Sequence, residues 1–425
     1  MLLVRSFLAY LAVVPLLVGP SSAQQEGVRE AIETLAGVGS RVVGYPGYDE
    51  AAAYVEARLR ASGAAEVRRD TFPVFVPVDL GGSIGLPGQA PVPMWGLWPN
   101  GARTPTLPQE GLRAPMIYAG KGDWGDFNGR EIDGRVVLLD FSSGANWLNA
   151  ALLGARAVVF IAPDATSLRE IDDKVADVPL DLPRFWVERD AVADLRRRAT
   201  DGEVPVEMFS RMEWQRKTAW NIWARFPGND PELSKETLLV SSYFDANSLV
   251  PARAPGAESA VGMGALLALA DRLGREPTPR SLILLASGAH FQDRQGIGAF
   301  LQRYMRRHPY YRAQQLDSLN VDMFIGLDLS SQSSELAVWD NASDFTLKRF
   351  FAPFGRRFVR YAEAVNPSVE SGREVLANGI SPIRGMDWST YMPGGLRTAG
   401  QRVFDAGHIA LTLATIFDGR QGINS

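Results

Sequence analysis

The sequence predicts an α/β fold built on a mixed, mostly parallel sheet, and three observations carry that expectation. Short apolar runs (Leu238 to Tyr243, Ser281 to Ala286, Ser318 to Phe324) alternate with longer segments of helical periodicity (Ser259 to Leu273, Gly296 to Arg306). Such alternation is the pattern of right-handed crossovers between parallel strands, with helices on both faces of the sheet. The composition, 46% hydrophobic and 22% charged over 425 residues, is that of a globular chain with room for two or three domains. Finally, no internal repeat or low-complexity tract points to a solenoid or a disordered chain.

The elements follow in order. Arg5 precedes an apolar run from Phe7 to Val18, and Ser21-Ser22-Ala23 supplies the small residues of a cleavage site, so residues 1–23 read as a secretory signal peptide. That run falls short of the ~20 residues a spanning helix needs, so no transmembrane segment is expected after cleavage. The mature chain is expected to be secreted or periplasmic, and with no cysteine its stability must come from the core. A helix is expected from Glu26 to Ala36, then a glycine-rich turn over Gly39 to Gly47. A second helix begins near Tyr48 with Val55 and Leu59 at helical spacing, and an extended run covers Ala65 to Val78. From Asp79 to Pro115 prolines and glycines crowd and periodicity fades, as in a linker or surface excursion. Between Met116 and Phe209 a strand (Gly134 to Asp140), a helix (Leu148 to Gly154) and a strand (Ala157 to Ile161) form a separate small module. A net charge of −4, from 44 basic and 48 acidic residues spread along the chain, offers no field for a polyanion, so no nucleic-acid partner is expected.

Four segments bear on function: Asn221-Ile-Trp-Ala-Arg-Phe-Pro-Gly228, Leu238-Leu-Val-Ser-Ser-Tyr-Phe-Asp245, Pro255-Gly-Ala-Glu-Ser-Ala-Val-Gly262 and Leu282-Ile-Leu-Leu-Ala-Ser-Gly288. In order and spacing the chain resembles the co-catalytic zinc aminopeptidases and glutamate carboxypeptidases, and Leu35-Ala-Gly-Val-Gly-Ser-Arg and Gly44-Tyr-Pro-Gly agree with that family's first helix and turn. The resemblance implies a three-layer phosphorylase/hydrolase-like α/β fold with a small inserted protease-associated-like domain. Residues 24–80 and 213–425 are then expected to form the peptidase-like domain and 81–212 the insertion.

The chemistry departs from the family. Two zinc ions about 3.5 to 4 Å apart need imidazoles and carboxylates, and a further carboxylate must activate the bridging water. Tyr243 stands at the first ligand histidine of the family's His-x-Asp motif, with Asp245 as its aspartate. Glu258 takes the place of the bridging aspartate, His290 and Phe291 those of the paired glutamates, and Trp388, after Asp387, that of the last ligand histidine. Asp322 matches a ligand that follows the next strand, so Glu258 and Asp322 are the surviving candidates. Only three histidines occur, His290, His308 and His408, too few to rebuild a paired site.

Beside Glu258 and Asp322, His290 is expected to be protonated, with a pKa above the ~6.5 reference; Arg384 is an alternative counter-charge. The resemblance thus implies a degenerate peptidase-like protein with neither catalytic residues nor a resident metal, binding a peptide or protein ligand. Its alternative is an exopeptidase with an atypical single ion held by Glu258, Asp322 and Asp387. Asn341-Ala342-Ser343 fits a glycosylation acceptor, and Gly81-Gly82-Ser83-Ile84-Gly85 lies where no strand-to-helix turn is expected to expose a nucleophile.

Overall fold

The computed structural model describes residues 22–175, 180–306, 318–331, 335–339, 376–378 and 398–416. The expected signal peptide through residue 21, His308, the Asn341 acceptor, Arg384, Asp387 and Trp388 lie outside the described residues. The chain forms two compact units: Met1–Val74 with Thr218–Ala246 and Pro255–Ser425, and Phe75–Lys217 with Asn247–Ala254. It leaves the first unit within the strand Glu66–Gly85 and returns within the strand Val204–Phe226. The short piece Asn247–Ala254 was not set apart by sequence.

In the first unit the strands Ala410–Ile416, Met323–Asp328, Thr237–Tyr243 and Ser281–Ser287 lie side by side in that order, all parallel. The end of Val204–Phe226 closes one side antiparallel, pairing Phe226 with Leu282 and Ile222 with Ala286. Glu335–Trp339 adds to the other side antiparallel, followed by Leu376–Asn378. The sheet is therefore mixed and mostly parallel, as expected. The strands Thr237–Tyr243 and Ser281–Ser287 are buried almost throughout, which is what a sheet covered on both faces requires.

One face carries the helix Val261–Arg275, against which Ser22–Gly37 and Pro46–Ala61 pack. Pro46 opens its helix with a preset φ and no orphan N–H, Asp49 sits in the first turn, and Arg58 and Arg60 in the last, each favourable to the helix dipole. Gly262 has no room for a side chain: a Cβ there would lie 2.6 Å from Ser242 Oγ and 2.9 Å from the Leu327 carbonyl oxygen. The other face carries Gln295–Tyr304 and Ala399–Asp405, whose Ile297, Phe300, Leu301 and Val403 pack with Leu239, Ile283, Leu285 and Phe324.

In the second unit Leu112–Tyr118, Val136–Asp140, Ala157–Ile161 and Arg184–Val187 form a parallel group in that order, with Trp95–Gly96 antiparallel at its far edge. Val136 and Leu138 face one core with Leu195 and Ala199 of the helix Ala193–Asp201; Val137 and Leu139 face the other with Trp147 and Ala150.

Two sequence expectations need correction. The tract after Asp79 is not simply irregular: the strand runs on to Gly85 and pairs Ser83 with Pro93 and Ile84 with Val92. Prolines are tolerated there because they sit at short edge positions. The strand expected over Ser318 to Phe324 is Met323–Asp328 instead; Ser318 to Asp322 lead into it, with Leu319 and Val321 packed against the core. No described helix is long and apolar enough to cross a membrane.

Gly262→Ala is expected to lower stability by about 1 to 3 kcal/mol through overpacking. Gly27→Ala, in a helix where an added Cβ meets nothing within 4 Å, should raise it by up to about 1 kcal/mol. Urea denaturation midpoints of the two variants check both signs.

Candidate functional site

In open sheets with parallel strands, sites form beyond the carboxyl ends of the strands, and the side chains here change character toward those ends. Alternation along a strand puts Leu239, Ser241 and Tyr243 on one face. Register places Phe324 and Ala410 beside Leu239, then Gly326 and Thr412 beside Ser241, and Asp328 near Tyr243. The innermost row is apolar core; the next is polar, with the bare Gly326 between two hydroxyl residues. Gly326 keeps this row open, because a Cβ on it would lie 3.0 Å from Thr412 Oγ1. The result is a small recess, with room for little more than a water molecule, lined by Ser241, Tyr243, Ser287, His290, Asp328 and Thr412, among others. Ser241 Oγ is buried without a hydrogen-bond partner.

At the mouth the Tyr243 hydroxyl donates to Asp328 Oδ1 at 2.9 Å, and its ring stacks on His290 with centroids 4.0 Å apart and planes 18° apart. Phe291 meets both rings edge-on at 5.3 and 5.1 Å. Burial, reinforced by Asp328, raises the Tyr243 hydroxyl well above its ordinary pKa, so it stays a donor. Burial pulls His290 down to about 4 against the opposing pull of Asp328, with Arg294 lowering it further. The expectation of a protonated His290 is thereby overturned. Its imidazole is neutral near pH 7, because it is packed between aromatic rings rather than set between Glu258 and Asp322.

Behind this group lies Asp245, wholly buried, whose Oδ2 accepts from the backbone N–H groups of His290 at 2.8 Å and Phe291 at 3.4 Å. Its Oδ1 has no partner, and burial raises its pKa to about 7, although the N–H groups and Arg41 favour the ionised form. Arg41 is also wholly buried. Its Nη2 donates to the Gly256 carbonyl at 2.8 Å and Ser259 Oγ at 3.0 Å, while Nε and Nη1 have no partner. Burial lowers Arg41 to about 10, with Asp245 and then Glu258 pulling it back. It remains a cation at neutral pH.

The other expected residues fall apart from this cluster. Glu258, half-buried in the short turn Glu258–Ala260, acts on the charge of Arg41 and does not line the recess. Asp322 lies at the opposite end of the sheet, where its Oδ2 accepts from the Thr237 N–H at 2.8 Å at the start of a strand whose other end is Tyr243. A trio of Glu258, Asp322 and Asp387 around one ion at the strand ends is therefore not available. The residue that occupies the recess is Asp328, missed because the strand was placed about five residues early. The signal was there: Met323-Phe-Ile-Gly-Leu-Asp328 ends on a carboxylate, just as the strand Thr237–Tyr243 leads to Asp245.

The family resemblance of the sequence implies a pair of zinc ions, but the donors among the described residues do not fit them. Among the described residues no group of three or more histidine, aspartate and glutamate side chains converges on one point. Asp328 is engaged by a phenol, Asp245 by two backbone N–H groups, and His290 is stacked.

Asp245 and His290 set opposing pH dependences. The folded state holds the Asp245 proton more tightly than the unfolded chain, so its contribution falls as pH rises from about 4 to about 7; His290 is the reverse, gaining from about 4 to about 6.5. At most these amount to about 4 and about 3 kcal/mol, so they largely cancel. His290→Gln should therefore expose a stability that falls toward neutral pH, and Asp245→Asn one that rises, as read by denaturation from pH 4 to 7. Tyr243→Phe should cost about 1 to 2 kcal/mol by leaving Asp328 without its donor, measurable in the same way.

The sequence matches no protein-family model and no curated protein. Among solved structures, a zinc aminopeptidase from Bacillus subtilis superposes with a TM-score of 0.55 at 17% identity, covering 92% of this chain and 84% of that one. A peptidase M28 precursor from Shewanella amazonensis gives 0.52 at 14% identity, with 92% and 87% covered. At such identities the likeness concerns architecture alone: this chain has the α/β fold of the zinc aminopeptidases.

Proposed function

We propose that this protein is an exported, peptidase-like binding protein that does not hydrolyse peptides. One observation carries the reading: where a hydrolase of this fold needs free donors at the strand ends, Tyr243, Asp328 and His290 are engaged with one another. Two chemical arguments support it. A phenol held protonated by burial is a poor ligand for zinc, which prefers imidazole, thiolate or carboxylate. An imidazole with a pKa of about 4 is too weak a base to activate water efficiently at neutral pH.

The recess, floored by Ser241 and Thr412, has room for about a water-sized group as it stands, so one end of a peptide or a side chain of a protein partner would enter only as it widens. In this reading the second unit is a protease-associated-like domain that adds binding surface, no cofactor takes part, and a leader sequence sends the chain out of the cytoplasm.

The test is elemental analysis of the purified mature protein after zinc loading and dialysis, with turnover assays on aminoacyl anilides and peptides with and without chelator. Substoichiometric zinc and no chelator-sensitive turnover are expected. Stoichiometric zinc with chelator-reversible hydrolysis would overturn the reading.

A further inference from the structure

We propose that the turn from Ala289 to Arg294 is a lid over the recess, anchored at Gly288 and Gly296 and able to open by swinging out and unwinding between them. Its two ends are pinned by one buried side chain: Asn221 Oδ1 accepts from the Gly288 N–H at 3.4 Å and its Nδ2 donates to the Gly296 carbonyl at 2.7 Å. Neither glycine can bear a side chain. A Cβ on Gly288 would lie 2.2 Å from the Tyr48 hydroxyl, and one on Gly296 would lie 2.1 Å from the Gly288 carbonyl oxygen.

Between these anchors the closed turn is costly. Ala289, Asp293 and Arg294 have φ of 52°, 52° and 56°, a left-handed state that residues with a Cβ adopt only under compulsion. Gln292 is buried, and both its amide oxygen and its amide nitrogen lack partners. Swinging out would relieve that backbone and give the Gln292 amide to water.

Three restraints oppose release. Asp245 accepts from the N–H groups of His290 and Phe291, and Tyr243 stacks on His290. Arg402 Nη1 donates to the Asp293 carbonyl at 2.7 Å and to its Oδ2 at 3.0 Å. The Arg402 side chain reaches this point by passing over the bare backbone of Gly298, where a Cβ would lie 3.1 Å from Nε. A strained, under-paired segment held by a few contacts between rigid anchors is suited to local opening below the cost of global unfolding. In the open state His290 leaves the mouth, and Asp328, Ser241 and Thr412 become reachable. The lid deepens the binding role proposed above and rests on that reading for its purpose, though not for its measurement.

Hydrogen–deuterium exchange of the intact protein, followed by mass spectrometry, compares the turn with the adjoining strand Ser281–Ser287 as an internal control. The turn amides that are bonded when closed, those of His290, Arg294 and Gln295, are expected to exchange at least about tenfold faster than the strand. Arg402→Ala should speed the turn several-fold and leave the strand unchanged, whereas Ala289→Gly, which suits a left-handed φ, should slow it. Turn and strand exchanging together in the unaltered protein, or accelerating alike in Arg402→Ala, would overturn the lid and leave the binding role standing. Zinc-dependent turnover would overturn the binding role without altering this comparison.

Discussion

The carboxylate of Asp245 is the group on which the arrangement at the strand ends depends. It is buried where an ionised oxygen is expensive, yet it is the acceptor that fixes the backbone of His290 and Phe291 and so sets both rings against Tyr243. The backbone N–H groups offset part of that cost, and Arg41, in the glycine-rich turn ahead of the helix Pro46–Ala61, adds a smaller favourable charge; its carbonyl also accepts from the Ala246 N–H at 3.3 Å. The remaining N–H groups of Arg41 and the free oxygen of Asp245 are the places where this balance is incomplete.

The sheet face above the helix Gln295–Tyr304 shows the same trade between stability and chemistry. A core built only for stability would continue Leu239, Phe324 and Ala410 outward as apolar rows. Instead it turns to Ser241, Gly326 and Thr412, removing apolar contact and leaving one buried hydroxyl unpaired. Polarity kept at that cost lies at the end of the sheet where open parallel sheets place their sites, which is why the recess is the candidate site. His290 and Tyr243 are neutral there, and Asp328 is the acidic residue of the lining.

Much of this was legible in sequence because it rests on local rules. Apolar runs of five to seven residues between amphipathic segments gave the parallel core strands, and the resemblance to the zinc aminopeptidases singled out Tyr243, Asp245, His290 and Phe291, which the structure gathers into one cluster. Asp322 and Asp328 show where local reading stopped. Two aspartates flank one apolar strand, and periodicity does not say which end faces the site. At about 3.3 Å per residue they stand about 20 Å apart, so the choice between them is the choice between two ends of the sheet.

The sequence by itself determined the fold class, the absence of disulfides and the small number of imidazoles. Only the tertiary structure decided that His290 is neutral, that Arg41 faces Asp245, and that Asp328 replaces Asp322 in the recess. The reason is physical: composition and periodicity are carried along the chain, whereas burial, pKa and register arise from groups that folding brings together from distant positions.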